Sequence, residues 1–206
     1  MAPSDIRFFT EDWTITVPSH PHVKFVRIVP KYLDECIEFE SNPLNRPFSD
    51  PNHKIWTEER KQESKARLHE RYTFSKTEHR ALDVMVQVDG KCVGVGGVYE
   101  IPDIVAGLAN VGLSLDENER GKGLGKANLQ VLLRLSNELD VDVVGAGTMK
   151  ANKPMRALAA SLGLEEKEEI LDIPGRGVVA ELIFIIDQRR WKDFEMNIEF
   201  KGPAPE

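Results

Sequence analysis

Apolar and polar positions fall into segments whose order predicts an α/β chain. Val23–Val29 is rich in β-branched residues and ends at Pro30, after which Tyr32, Leu33, Cys36, Ile37 and Glu40 mark a short helix stopped near Pro43. Ser41–Pro51 carries Pro43, Pro47 and Pro51 and reads as a loop. The highly charged stretch Lys54–Phe74, with Ile55, Trp56, Ala66 and Leu68 among its apolar positions, predicts a helix with a solvated face. Leu82–Val88 and Lys91–Tyr99 are β-branched runs joined by Asp89-Gly90, the chemistry of a type I′ hairpin turn. Leu108–Leu115 predicts a further strand. Leu124, Ala127, Val131, Leu135 and Leu139 then recur at helical spacing, which opens a helix of about four turns at Gly123. Val141–Thr148 returns as a strand, and Asn152–Leu162 as a helix entered through Pro154 and stopped by Gly163. Glu165–Leu171 and Val179–Ile186 complete the pattern as strands around a Pro174-Gly175 turn.

Composition narrows the class. With 206 residues, 41% of them hydrophobic and 30% charged, the chain is long enough to bury a sizeable core, and a single domain is expected. Its core is expected over about residues 23–187, with polar extensions at both ends. The net charge of −7, from 27 basic against 34 acidic residues, argues against nucleic acid as a partner. Cys36 and Cys92 are too few for a disulfide framework and match no zinc or redox spacing. The five histidines show no metal-ligand spacing, so no metal is expected. Met1–Val17 has no apolar stretch of signal-peptide type and no run of about eighteen apolar residues occurs, so a cytoplasmic location without a membrane partner is expected.

Against that acidic background, Arg120-Gly121-Lys122-Gly123-Leu124-Gly125-Lys126 places three cations and three glycines between a predicted strand and a predicted helix. Glycines let backbone N–H groups approach a ligand, and a helix start presents unpaired N–H groups with partial positive charge, so phosphate is favoured there. A P-loop reading fails because three residues rather than four separate Gly121 from Gly125-Lys126, and Ala127 stands where a hydroxyl is needed. A dinucleotide fingerprint fails because Gly123-Leu124-Gly125-Lys126-Ala127-Asn128 ends on asparagine. A serine-hydrolase elbow fails because Gly112-Leu113-Ser114-Leu115-Asp116 lacks the final glycine.

Arg120-x-x-Gly123-x-Gly125 resembles motif A of the GNAT (Gcn5-related N-acetyltransferase) superfamily. Asn152, followed eleven and twelve residues on by Gly163-Leu164, resembles its motif B. The resemblance covers about Leu82–Ile186. It implies a mixed, twisted central sheet of about six to seven strands flanked by about four helices, with two splayed parallel strands, here Leu108–Leu115 and Val141–Thr148. It implies acetyl-CoA as cosubstrate: Leu113, Ser114 and Leu115 along its pantetheine arm, Arg120, Gly121, Lys122, Gly123, Leu124, Gly125 and Lys126 around its pyrophosphate, and Asn152 from motif B. The implied activity is acetyl transfer to a primary amine of a small molecule or peptide by direct attack on the thioester. An acid from the end of the hairpin's second strand often serves as base, which indicates Glu100 ahead of Asp116. Many members carry a proton-donating tyrosine seven residues after the motif B asparagine, but Ala159 stands there, and Ser161 is the nearby substitute. That departure leaves an acyl-CoA-binding or sensing protein, or one with a non-acetylating reaction, as the alternative. Acceptor selection is expected in Tyr32–Arg71 and Pro174–Val179, with Phe48 and Trp56 near the pocket, and a homodimer through the late strands is a further expectation.

Overall fold

A computed structural model describes residues 5–45, 55–101, 108–173 and 177–203. The chain begins with the one-turn helix α1 (Arg7–Thr10), then β1 (Glu11–Val17), β2 (His20–Arg27), α2 (Leu33–Ser41) and α3 (Glu58–Glu78). The hairpin β3 (Ala81–Val88) and β4 (Lys91–Tyr99) leads to β5 (Leu108–Leu115), α4 (Leu124–Glu138), β6 (Val143–Met149) and α5 (Lys153–Ser161). β7 (Lys167–Ile173), β8 (Gly177–Asp187) and β9 (Asn197–Pro203) follow.

All the strands join one sheet in the order β7-β8-β6-β5-β4-β3-β2-β1-β9. β5 and β6 run parallel, and every other neighbouring pair is antiparallel. The sheet has nine strands where six or seven were expected. The additional ones come from the segments expected as polar extensions. In β1, Trp13, Ile15 and Val17 point inward at every second position, and β9 pairs along it with Ile198 and Phe200 packed against the same core. The hairpin turn has Asp89 and Gly90 at φ of 51° and 78°, as a type I′ turn requires.

α3 starts later than its charge pattern suggested. Thr57 caps it, accepting from the Arg60 N–H at 3.2 Å, so Ile55 and Trp56 precede the helix, and Ile55 is exposed. The remainder of the Ser41–Pro51 loop, including Phe48, and the Pro174-Gly175 turn lie outside the described residues.

Strand register sorts side chains onto two faces. Val84, Val86, Val98, Val111 and Leu115 share a core with α4, whose Leu129, Leu132, Leu133 and Leu135 are fully buried. Each such leucine contributes about 1.5–3 kcal/mol. Met85 and Val26 face the other way, into a smaller core under α2 and α3 with Leu33, Cys36 and Leu68. Arg27 is buried between those layers. It donates to the Glu11 carbonyl at 3.1 Å and to Ser75 Oγ at 3.3 Å and lies 5.0 Å from the Tyr72 ring centre, while burial holds its guanidinium below its ordinary pKa.

One position in α4 conflicts with its surroundings. Asn128 has no exposed surface, and neither atom of its amide meets a hydrogen-bond partner. A buried amide left unpaired costs about 1–3 kcal/mol, and alanine is also the better helix former. Asn128→Ala is therefore expected to raise Tm by about 2–4 °C, against the usual sign of large-to-small core changes. A lower Tm in a thermal melt would show that the amide is paired in solution.

No helix among the described residues is long and apolar enough to cross a membrane.

Candidate active site

β5 and β6 pair only at Leu108↔Val143, Ala109↔Val144 and Asn110↔Gly145. Beyond that vertex they part, because each is held by its outer neighbour. β5 stays paired to β4 as far as Leu115↔Gly94, and β6 to β8 as far as Met149↔Glu181. A cavity of about 740 Å³ fills the gap.

The backbone of β5 faces this cavity with alternate residues. Asp116 N–H donates to the Val93 carbonyl on the β4 side at 2.8 Å. By strand alternation the amide groups of Leu115, Leu113 and Val111 point to the opposite edge, where β6 has left. Buried peptide groups need partners, so this edge is a template for an extended ligand with amides of its own. Leu113, Ser114 and Leu115 all line the cavity, although Leu115's carbonyl is already taken by Arg120 at 3.0 Å.

The glycine loop closes the wide end. Gly121 and Gly123 have φ of 76° and 82°, a region open to glycine and strained for other residues. Gly123 ends the loop as the cap of α4, with its carbonyl accepting from the N–H groups of Lys126 and Ala127. The N–H groups of Leu124 and Gly125 precede the first helical acceptor and carry the helix's positive pole. Gly121, Gly123, Gly125 and Lys126 line the cavity. Leu124 does not, because its side chain is buried in the core and its backbone alone belongs to the loop. Lys122 points away and pairs with Glu119 at 3.1 Å, while its carbonyl lies 3.4 Å from His20 Nε2.

Arg120 borders the cavity and braces the backbone around it. Its Nη2 donates to the carbonyls of Leu44, Asn45 and Leu115 at 2.8, 3.1 and 3.0 Å. It fastens the turn after α2 to the end of β5. Asn152 is also spent partly on structure: Oδ1 caps α5 by accepting from the Met155 N–H at 3.2 Å, and Nδ2 donates to Thr148 Oγ1 at 2.9 Å.

The expected catalytic groups are scattered. Glu100 is exposed and outside the cavity; its backbone turns with φ of 53° and its carboxylate accepts from Asn110 Nδ2. Ser161 borders the opposite, loop end, with Lys126 Nζ 3.5 Å from its carbonyl and its own hydroxyl donating to the Leu158 carbonyl. Ala159 is fully buried in the core, so α5 turns Met155 and Leu158, not position 159, to the cavity.

On the α2 side of the sheet, Glu40, Tyr99 and Glu181 border the cavity, as do Asn45 and Ser114. Glu181 sits opposite Met149 on β8, and a Cβ at Gly147 would lie 3.2 Å from its Oε2, so the glycine leaves room for the carboxylate. The Tyr99 ring lies over Gly97, where a Cβ would come within 2.6 Å of the ring. Its hydroxyl donates to Asp83 Oδ1 at 3.1 Å, and Asp83 forms a two-point pair with Arg71 at 2.6 and 2.7 Å. Burial, reinforced by Asp83, pushes the Tyr99 phenol well above its ordinary pKa and keeps it protonated. For Arg71, burial opposes the charged form but Asp83 more than offsets it, so its pKa is raised. The sequence did carry a signal for Glu181: it is the one charge in the otherwise apolar run Val178–Ile186. Among the described residues no cluster of histidine, cysteine or carboxylates could hold a metal ion.

Known structures share this architecture. RimJ of Mycobacterium smegmatis, solved with a CoA disulfide, superposes with a TM-score of 0.71 at 16% identity, covering 89% of this chain and 90% of its own. The ribosomal-protein-S5-alanine acetyltransferase of Vibrio fischeri gives 0.64 at 17% identity over 83% and 96%. The microcin C7 self-immunity acetyltransferase MccE, in complex with acetyl-CoA and AMP, gives 0.68 at 18% identity over 82% and 94%. No curated protein sequence matches significantly. The sequence profile of the acetyltransferase (GNAT) family matches residues 45–164, more than half of the chain, spanning the parting strands, the glycine loop and the helix that faces them across the cavity. The chain belongs to the acetyltransferase (GNAT) family.

Proposed function

We propose that the protein is an acetyl-CoA-dependent N-acetyltransferase of the cytoplasm, acting on a primary amine of a small molecule or peptide. The observation that carries this reading is the parting of β5 from β6 above a glycine loop that caps α4. The open amide edge of Val111, Leu113 and Leu115 suits the pantetheine arm. The N–H groups of Leu124 and Gly125, with Lys126 beside them, suit the pyrophosphate. An N–H from the same β5 edge near the vertex would stabilise the thioester oxygen as charge grows there.

The amine nitrogen attacks the thioester carbon, the C–S bond breaks, and CoA leaves as its thiolate. The amine must shed its protons. Glu181, whose carboxylate lies beside Gly147 two residues past the vertex, can accept one directly or through a water, and the second passes from the tetrahedral adduct to solvent. Glu100 fits this step less well because it lies outside the cavity. The leaving thiolate receives its proton from solvent in this scheme, since α5 lines the cavity with Pro154, Met155 and Leu158, the Ser161 hydroxyl is committed to the Leu158 carbonyl, and a thiolate is a fair leaving group.

That apolar face of α5 also favours a second reading, an acyl-CoA-binding protein without amine turnover. Free-thiol release from acetyl-CoA across polyamines, amino sugars and peptide amines separates the two. Thiol release that depends on one amine class is expected. Thermal stabilisation by acetyl-CoA with no release above the hydrolytic background for any amine would leave the binding reading.

A further inference from the structure

Besides the N–H that it donates within its own turn to the Asn42 carbonyl at 3.0 Å, four hydrogen bonds converge on Asn45, which is 3% exposed in the turn after α2 and borders the cavity. Its Nδ2 donates to the Phe39 carbonyl at 3.0 Å, and its Oδ1 accepts from the Glu117 N–H at 3.2 Å. Its backbone oxygen accepts from Ser114 Oγ at 2.7 Å and from Arg120 Nη2 at 3.1 Å. The first bond holds the end of α2, where Phe39 adjoins Glu40 of the acceptor-side wall. The other three come from β5 and the segment that leads into the glycine loop. Near its start α2 is held separately, by the Glu35 carboxylate accepting from the Cys92 N–H on β4. The amide donates at one end and accepts at the other, whereas an aspartate carboxylate has no donor and a serine offers a single oxygen for both.

We infer that Asn45 is a positioning residue that couples the acceptor wall to the cofactor loop. A loop fixed by bound CoA fixes Arg120 and Glu117; these fix Asn45, and Asn45 fixes the carboxyl end of α2 with Glu40. The inference rests on the acetyl-CoA reading of the cavity and adds to it that bound CoA and a firm acceptor wall favour each other. It also gives the arginine of motif A its work here, a strut between two walls. Coupling of this kind is a free energy shared between sites, and it is reciprocal.

Hydrogen exchange of the full chain with and without CoA tests it, in the wild type and in Asn45→Asp, which keeps the acceptor for Glu117 and loses the donor to Phe39. In the wild type, CoA is expected to slow exchange across Leu33–Ser41 about tenfold more than across the remote edge strand β9. In Asn45→Asp that excess disappears while CoA affinity by calorimetry stays within about threefold, and the KM for the best amine rises more than kcat falls. Ser114→Ala, which removes one bond to the Asn45 carbonyl, is expected to show a smaller loss of the same kind should the aspartate variant fold poorly. Excess protection that survives in these variants, or that is absent from the wild type with CoA bound, overturns the coupling. Loss of CoA affinity in parallel with loss of protection also overturns it, by making Asn45 part of the cofactor site. A wild type that binds no CoA at all instead removes the reading of the cavity, and the calorimetry tells these cases apart.

Discussion

Gly123→Asp is expected to weaken CoA binding by at least about 100-fold, or about 2.7 kcal/mol, while leaving the protein folded. Two effects add. Position 123 has φ of 82°, a conformation that costs a residue with a side chain about 1–2 kcal/mol, and its Cβ would approach His20 Nε2 at 3.4 Å. The larger effect is charge. Aspartate places a carboxylate at the start of α4, beside the open N–H groups of Leu124 and Gly125 that the pyrophosphate needs. A like charge held about 4 Å away at an effective dielectric of about 20 costs about 4 kcal/mol. The backbone strain costs stability alone, whereas the charge acts on the bound phosphates, which is why affinity falls further than stability. Gly125→Ala is the control. Gly125 has no positive φ, and a Cβ there would meet only Leu115 and Leu158 at 3.4 and 3.8 Å, ordinary contact distances. CoA affinity in that variant is expected to stay within about threefold, because one position needs glycine's backbone and the other only its small size. Calorimetry with CoA reads both, and unchanged affinity in Gly123→Asp would place the phosphates elsewhere.

This contrast shows what kind of information a single sequence carries. The glycine loop was legible because its signals are local: positive φ at Gly121 and Gly123 and a helix starting at Leu124 follow from residues within one turn of each other. The hairpin at Asp89-Gly90 was legible for the same reason. Arg120 was recognisable by spacing, but its partners were not, since the carbonyls of Leu44 and Asn45 lie more than seventy residues earlier. Glu181 reaches the cavity only because β8 pairs with β6, a pairing that no short pattern in the chain encodes. Strand parity decides a similar question for Glu100. Tyr99 already takes the cavity face of β4, so the next residue turns away from it. The edge strands illustrate the reverse problem: β1 alternates at Trp13, Ile15 and Val17, but Glu11 and Asp12 at its start mask the pattern, and β9 is short, polar at every second position and ends on proline.

Glu181→Gln is expected to lower kcat by about 10²–10⁴-fold with CoA affinity unchanged, because glutamine keeps the shape of the side chain but cannot take a proton. The size of the loss should report the acceptor. An aliphatic amine with an ordinary lysine-like pKa near about 10.4 is neutral in only about one molecule in a few thousand at pH 7, so it depends heavily on a base. A peptide α-amine, with a pKa of about 7.7–8.0, is already neutral in about one molecule in ten, and its dependence is correspondingly smaller. For either acceptor the gap between variant and wild type should close as pH rises towards the amine's own pKa, where deprotonation no longer needs help. A merely structural glutamate would produce a pH-independent loss. The pH profile of kcat in Glu181→Gln, taken with one aliphatic amine and one peptide amine, therefore tests the base and sorts the two acceptor classes in the same measurement; a flat ratio for both would remove Glu181 from proton transfer and leave it a wall of the cavity.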